Sequence, residues 1–344
     1  MDARRAITDA IRAHGPIRFD RFMELALYGP GGFYERPPVG PAGEFVTSPH
    51  VHPVFGELLA RAIGDLDERL GSPRPLQVTE VGAGDGTLAG QLSSLLRTRD
   101  VTYHAVERSP GARATLTELD GVSVHERIPE GQHVIVAHEL LDNLPFRWFR
   151  RADDGPREVH VGLEDDRFVE RLIQPDPEGP TELPDGEEAV LPVGALAFVD
   201  QVAARLAHPG YALLIDYGGV GEPGGPVHGY VGHRVVDDLL DRPGATDITV
   251  GVDFQLLEQR AEAAGLIAFP SVTQRHALTS LGFDRWMREE LRRQAELLDN
   301  GHGLDAVRSW SGRSRATLLV DPTALGRHRW LLLATPGASA PPWV

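Results

Sequence analysis

Leu76-Gln77-Val78-Thr79-Glu80-Val81-Gly82-Ala83-Gly84-Asp85-Gly86-Thr87-Leu88 is the stretch whose reading decides the fold. A β-prone run ends in an acid, glycines follow at alternate positions, and a helical pattern begins at Thr87. Such a strand–turn–helix corner aims backbone N–H groups and a helix N-terminus at a nucleotide-like ligand. The dinucleotide fingerprint G-x-G-x-x-G fits Gly82 and Gly84 but fails at Thr87, where close helix–strand packing wants glycine. The acid at Glu80, in an E-x-G-x-G-x-G spacing, suits a ligand with a cationic amino-acid portion and no phosphate. S-adenosylmethionine is such a ligand.

Downstream, Val101 to Glu107 reads as a second strand ending in an acid. Glu107 lies about 20 residues past the turn, the spacing at which an acid takes a ribose hydroxyl pair. That feature is shared by NAD and S-adenosylmethionine sites and does not separate them.

The alternation continues outward. Strands are expected at 76–81, 101–107, 122–125 and 133–138, with helices beginning near Thr87 and at Ser109-Pro110. Alternating strands and helices give an α/β fold with a parallel sheet covered on both faces. Residues 1–75 read as a helical N-terminal region, with helices at 3–14, 19–27 and 54–70 and a Pro/Gly-rich loop reaching Pro49. Residues 76–344 form the main domain, with insertions at about 147–194 and 218–300. The first insertion carries a hairpin around Glu164-Asp165-Asp166, and the basic run Arg147 to Arg151 reads as a strand edge. The sheet resumes with a helix at 194–207 and a buried strand at 211–216. Residues 218–251 look irregular, with two short turns of helix, and loops of that length are usually lids or binding loops. Helices follow at 254–264 and 278–298, and 316–320 with 329–334 reads as an antiparallel closing pair.

Composition narrows the chemistry. The chain of 344 residues has no cysteine, which removes disulfides, thiolate metal sites and cysteine nucleophiles. It has no lysine either, which removes Schiff-base chemistry and a P-loop lysine. No run of 18 apolar residues and no basic-plus-apolar leader is present, so a soluble, non-secreted, cytoplasmic protein is expected, with no membrane partner. The formal net charge of −16 repels nucleic acid and favours a basic protein or peptide as partner. A homodimer is left open as the quaternary state.

Several segments then converge. Gly43-Glu-Phe-Val-Thr47-Ser48-Pro49 resembles G-D-F-I/V-T-S-P-E, and Glu80 to Leu88 resembles E-x-G-x-G-x-G-T-L. Glu107 to Pro110 resembles E-x-S-P, and His138 to Pro145 resembles N-E-F-F-D-A-L-P. Asp216-Tyr217-Gly218 matches D-Y-G, and Asp247 to Phe254 resembles D-L-T-x-x-V-D-F, with Thr273-Gln274 following as T-Q. In this order they resemble the MidA family of class I S-adenosylmethionine-dependent methyltransferases, over nearly the whole chain. The resemblance implies a seven-stranded, Rossmann-like methyltransferase sheet with a helical addition. It also implies a relationship to a protein arginine methyltransferase that assembles mitochondrial complex I. The chain departs from the pattern at His50, where the family has an acid, at His138 for Asn, and at Leu140 and Leu141 for aromatics.

On this reading Glu80, Gly82, Ala83, Gly84 and Gly86 hold the amino-acid portion of the donor, and Glu107 takes its ribose. Residues Glu126 to Ile128, Arg127 among them, lie near the adenine, Thr47 and Ser48 close over the donor, and His138 borders it. Glu139 and Asp142, at i and i+3 on a helical turn, face one side. An acidic pair orients a guanidinium, and one carboxylate takes its proton. Substrate contacts are expected from His50, Asp216, Tyr217, Asp253 and Gln274. His138-Glu139-x-x-Asp142 lacks the second histidine of a zincin, and no metal is expected. The leading function is arginine methylation of a protein or peptide. Two readings stand beside it: methylation of a natural product or modified peptide, and a cofactor-binding assembly factor with little catalysis.

Overall fold

The computed structural model describes residues 2–35, 47–153, 155–183, 188–221, 226–232 and 234–344. Gly43 to Val46 of the T-S-P segment lie outside the described residues. The glycine corner sits where expected, between the strand Leu76–Val81 and the helix Thr87–Leu95. Across the central sheet the order is Val122–His125, Val101–Val106, Leu76–Val81, Gln132–His138, Leu206–Asp216, Arg329–Ala334 and a final edge. The first five run parallel, and Arg329–Ala334 runs antiparallel beside Leu206–Asp216. The edge is shared by Ile267–Ala268 and Val272–Thr273, both paired with Arg329–Ala334, so the sheet has 8 strands.

The strands are apolar almost throughout because both faces are covered. Side chains alternate along a strand, so Val134 and Val136 enter one apolar layer while Ile135 and Ala137 enter the other. The first layer holds Val54–Arg69, Thr87–Leu95 and Gln274–Ser280, and the second holds Val193–Arg205 and Phe254–Ala263.

A second sheet joins Ile17–Arg18, Gly155–Glu164, Arg147–Ala152 and Glu188–Leu191, with Arg167–Ile173 folded back on Gly155–Glu164. The hairpin turns at Asp165 and Asp166, whose φ values of 44° and 60° belong to the I′ turn that matches strand twist. Ala3–His14 and Phe19–Tyr28 bury Ile7, Phe19 and Phe22 against Phe146, Trp148 and Val161 of this sheet. The N-terminal helices therefore pack on the first insertion, whereas Val54–Arg69 packs on the central sheet.

Four expectations change. Arg147–Ala152 is not a strand edge: it lies between Gly155–Glu164 and Glu188–Leu191. Residues 228–249 form a three-stranded sheet of Arg234–Val236, His228–Val231 and Asp247–Thr249 rather than short helical turns. The helix expected over 278–298 is two, Gln274–Ser280 and Phe283–Asp299, broken at Gly282 with φ 107°. Residues 316–320 close a helix, Gly303–Ala316, with a 3₁₀ turn over Thr317–Leu319, and Arg329–Ala334 pairs elsewhere. A short apolar run does not distinguish strand from helix by periodicity. No helix among the described residues is long and apolar enough to cross a membrane.

Candidate active site

Strand order reverses between Leu76–Val81 and Gln132–His138. In an open α/β sheet, ligands bind beyond the carboxyl ends of the strands at such a reversal. The glycine corner and the turn after His138 meet there. A Cβ added at Gly82 would lie 3.0 Å from Leu140 Cδ1. Gly84 differs: it has φ 54°, yet among the described residues, its chain neighbours aside, a Cβ there would meet only Gly82 O at 3.9 Å, which leaves open space beside it. Gly86 takes φ 82° to start the helix, and Ala83 turns its methyl into the core.

Glu107 ends the second strand beside this space. Gly84 N–H donates to its Oε2 at 3.0 Å and Ser109 N–H to its Oε1 at 2.9 Å. The carboxylate is thus fixed against the corner. Ile128 is buried with Val81 and Val106, whereas Arg127 is exposed. Glu80 turns under the corner, where the Tyr103 hydroxyl donates to its Oε2 at 2.6 Å. Burial pushes its carboxyl up to about 8, against the pull of that hydrogen bond.

The turn after the fourth strand holds the acidic pair, but not on a helix. Glu139 adopts φ 50°, and the only helical part is a 3₁₀ turn over Leu141–Asn143. A non-glycine residue in that region costs of order 1–3 kcal/mol and persists only where its surroundings fix it. Here Glu139 N–H donates to Ile215 O at 2.8 Å, and Asp216 grips the following residues. Leu140 and Leu141 N–H donate to Asp216 Oδ2 at 3.0 and 2.7 Å, and Tyr217 N–H to Oδ1 at 2.7 Å. Burial holds the Asp216 carboxyl well above the usual range, and the Asp142 charge adds to this.

The carboxyls of Glu139 and Asp142 are shifted in opposite directions. Burial raises Glu139, but His138, whose Nε2 lies 3.1 Å from Oε1, together with His328 and the Ser48 N–H outweighs this and leaves its carboxyl below the usual range. Ser48 N–H also donates to Glu139 Oε1 at 3.2 Å. Asp142 accepts the Thr249 hydroxyl on Oδ2 at 2.7 Å, while Oδ1 is buried without a hydrogen-bond partner. Burial, with the Glu139 charge adding, pushes its carboxyl up to about 6. Next to it, Asp247 Oδ1 accepts from Asn143 Nδ2 at 3.0 Å and the Tyr34 hydroxyl at 2.9 Å. The Tyr28 hydroxyl reaches Asn143 O at 3.1 Å.

The expected substrate residues mostly do other work. Asp216 is fully buried, and both its oxygens are taken up by backbone N–H groups. Asp253 caps the helix Phe254–Ala263, its Oδ1 accepting Gln255 N–H and Gly221 N–H at 3.0 Å each. Gln274 is fully buried, bonding Leu319 O, Ser48 Oγ and Trp330 Nε1. His50 bonds Thr47 Oγ1 and Asp85 Oδ2, both at 2.8 Å, on the donor side of the cleft. Tyr217 is 37% exposed, under the Arg327 guanidinium. Sequence reasoning missed Asp85, Asn143, Thr249, Tyr28 and Tyr34 as parts of the site. Thr249 stood inside a matched motif, but nothing in the sequence pointed it at Asp142.

Known proteins resemble this chain. The family model described as S-adenosyl-L-methionine-dependent methyltransferase matches residues 58–272. The chain belongs to the MidA family of these methyltransferases. The mitochondrial protein arginine methyltransferase NDUFAF7 of Danio rerio is 30% identical to it, over 82% of this chain and 77% of that protein. The human protein of the same name is also 30% identical, over 80% and 72%. A Burkholderia thailandensis protein, solved with S-adenosyl-homocysteine bound, superposes with a TM-score of 0.84 at 26% identity, covering 98% of this chain and 92% of that one. The cofactor of this MidA-family enzyme is S-adenosylmethionine. Its own residues fit that molecule: open space beside Gly84, a fixed carboxylate at Glu107 for ribose hydroxyls, and acids rather than phosphate-binding cations around the corner.

Proposed function

We propose that this methyltransferase modifies an arginine side chain of a protein or peptide. The observation that carries it is Asp142 Oδ1, a buried carboxylate oxygen with no partner, beside the ionised Glu139. An unpartnered acceptor inside a protein is costly unless a ligand donates to it. A guanidinium, planar and rich in N–H donors, suits two neighbouring carboxylates. The vertebrate relatives are named as protein arginine methyltransferases.

S-adenosylmethionine supplies an electrophilic methyl group on a sulfonium. Glu139 holds the acceptor's positive charge and orients it. Asp142 Oδ1 takes the proton that the acceptor nitrogen loses, a role suited to a carboxyl near 6. Two of the departures from the family pattern lie in the core or on the donor side. Leu141 is 3% exposed in the core, and Leu140 lies over Gly82 on the donor side. A cytoplasmic location remains part of the proposal, although the relatives' names place those proteins in mitochondria.

The test is incubation with methyl-labelled S-adenosylmethionine and extract protein from the native host, followed by mass spectrometry. Label on arginine supports the proposal. Label only on other residues or on small molecules overturns it.

A further inference from the structure

The segment Thr47 to Val51 touches the glycine corner, its following helix and the acidic turn at once. Gln91 Nε2 donates to Pro49 O at 3.2 Å, Gln274 Nε2 lies 3.4 Å from Ser48 Oγ, and Ser48 N–H donates to Glu139 Oε1 at 3.2 Å. Among the described residues, a side-chain hydrogen bond to the corner itself is made by His50. His50 Nε2 lies 2.8 Å from Asp85 Oδ2, and His50 Nδ1 lies 2.8 Å from Thr47 Oγ1. The imidazole is 6% exposed. Asp85 in turn accepts Thr87 N–H on Oδ1 at 3.0 Å and the Thr87 hydroxyl on Oδ2 at 2.9 Å. An unbroken chain therefore runs from Thr87, at the start of the helix, to Thr47.

Its chemistry is directional. Burial raises Asp85, but the bonds from His50 and Thr87 override it and hold the carboxyl below its usual value. An ionised Asp85 only accepts, so Nε2 of His50 carries hydrogen. The other ring nitrogen, Nδ1, stands at hydrogen-bond distance from the Thr47 hydroxyl, 2.8 Å. Asp85 lies between Gly84, beside the open space, and Gly86.

We propose that the His50–Asp85 hydrogen bond seats residues 47–51 on the glycine corner, making His50 a positioning residue for the methyl donor and for Glu139. Where the family pattern has an acid, this chain has a histidine, and it faces an acid across the bond. A carboxylate at position 50 would oppose Asp85 and open the contact. The inference lies on the donor side and does not depend on arginine being the acceptor.

The experiment compares His50→Glu, Asp85→Arg and the double variant in the full chain. Binding of S-adenosyl-homocysteine is measured by calorimetry, with thermal melts as the check on folding. Each single variant is expected to bind about tenfold more weakly, and the double variant to return to within about threefold of the parent. His50→Gln, which keeps a donor and an acceptor, is expected to stay within about threefold, whereas His50→Leu loses about tenfold. Steady-state kinetics should show a raised KM for the donor together with a lowered kcat, since Glu139 loses the Ser48 N–H. Folded single variants that bind like the parent overturn the proposal. So does a double variant no better than the weaker single. If Asp85→Arg fails to fold, the Gln and Leu pair decides alone, and equal binding by the two overturns the proposal.

Discussion

Asp142 offers one bonded oxygen and one bare one, and its charge sets how the site responds to pH. Its carboxyl sits near 6, so it is protonated below that value and charged above it. A cationic acceptor needs the charged form. The kcat/KM of the enzyme for its acceptor should fall as pH drops through about 6. Asp142→Asn, which cannot ionise, should lower kcat/KM about a hundredfold and flatten that limb. A pH–rate profile of both proteins checks it, and an unchanged limb in the variant assigns the titration to another group. Glu80 gives a second response. Its folded value of about 8 lies above the ordinary 4.5, so folding favours the neutral form. Its stabilising share is complete below 4.5, declines as pH climbs, and is gone above about 8. Glu80→Gln keeps an acceptor for the Tyr103 hydroxyl and removes the titration. Melting curves between pH 5 and 9 should show the variant gaining on the parent as pH rises.

At the scale of elements, two turns make the site, and each rests on backbone conformations that side chains avoid. Gly84→Ala tests the first. The strain at φ 54° costs about 1–2 kcal/mol of stability with little clash added, since among the described residues, its chain neighbours aside, no heavy atom lies closer to the new Cβ than 3.9 Å. The added methyl, however, enters the space the donor needs. The affinity for S-adenosyl-homocysteine should fall by more than the strain accounts for, with calorimetry reading affinity and melting reading strain. Equal losses in both would place the donor elsewhere. The corner was legible in the sequence because its signals are local: an apolar run, alternate glycines and a helix start within 13 residues, Leu76 to Leu88. The hairpin at Asp165-Asp166 was legible for the same reason. The second turn was legible only as residue types. Nothing local says that Glu139 takes φ 50°, because Ile215 and Asp216, far along the chain, impose it. Likewise the motif matches at Asp216, Asp253 and Gln274 located side chains that fit the fold, but not the neighbours they bond.

For the molecule as a whole, the central sheet carries the donor corner while the second sheet and the N-terminal helices on it support the acidic turn. The Tyr28 hydroxyl bonds Asn143 O, Tyr34 reaches Asp247, and Phe146, just past the turn, is buried among Phe19, Trp148 and Val161. This joint was invisible in the sequence, where residues 1–28 and 147–191 read as unrelated additions. It predicts that loosening the second sheet and its helices disables catalysis before it disturbs donor binding. Phe22 is the place to test it: it is fully buried, 5.7 Å from the Phe19 ring and 6.3 Å from Phe168. Phe22→Ala should cost about 3–5 kcal/mol against urea. At temperatures where the variant stays folded, kcat should drop while the affinity for S-adenosyl-homocysteine holds, because Gly84 and Glu107 belong to the central sheet. Loss of both together would mean that the two sheets with their helices fold and move as one body.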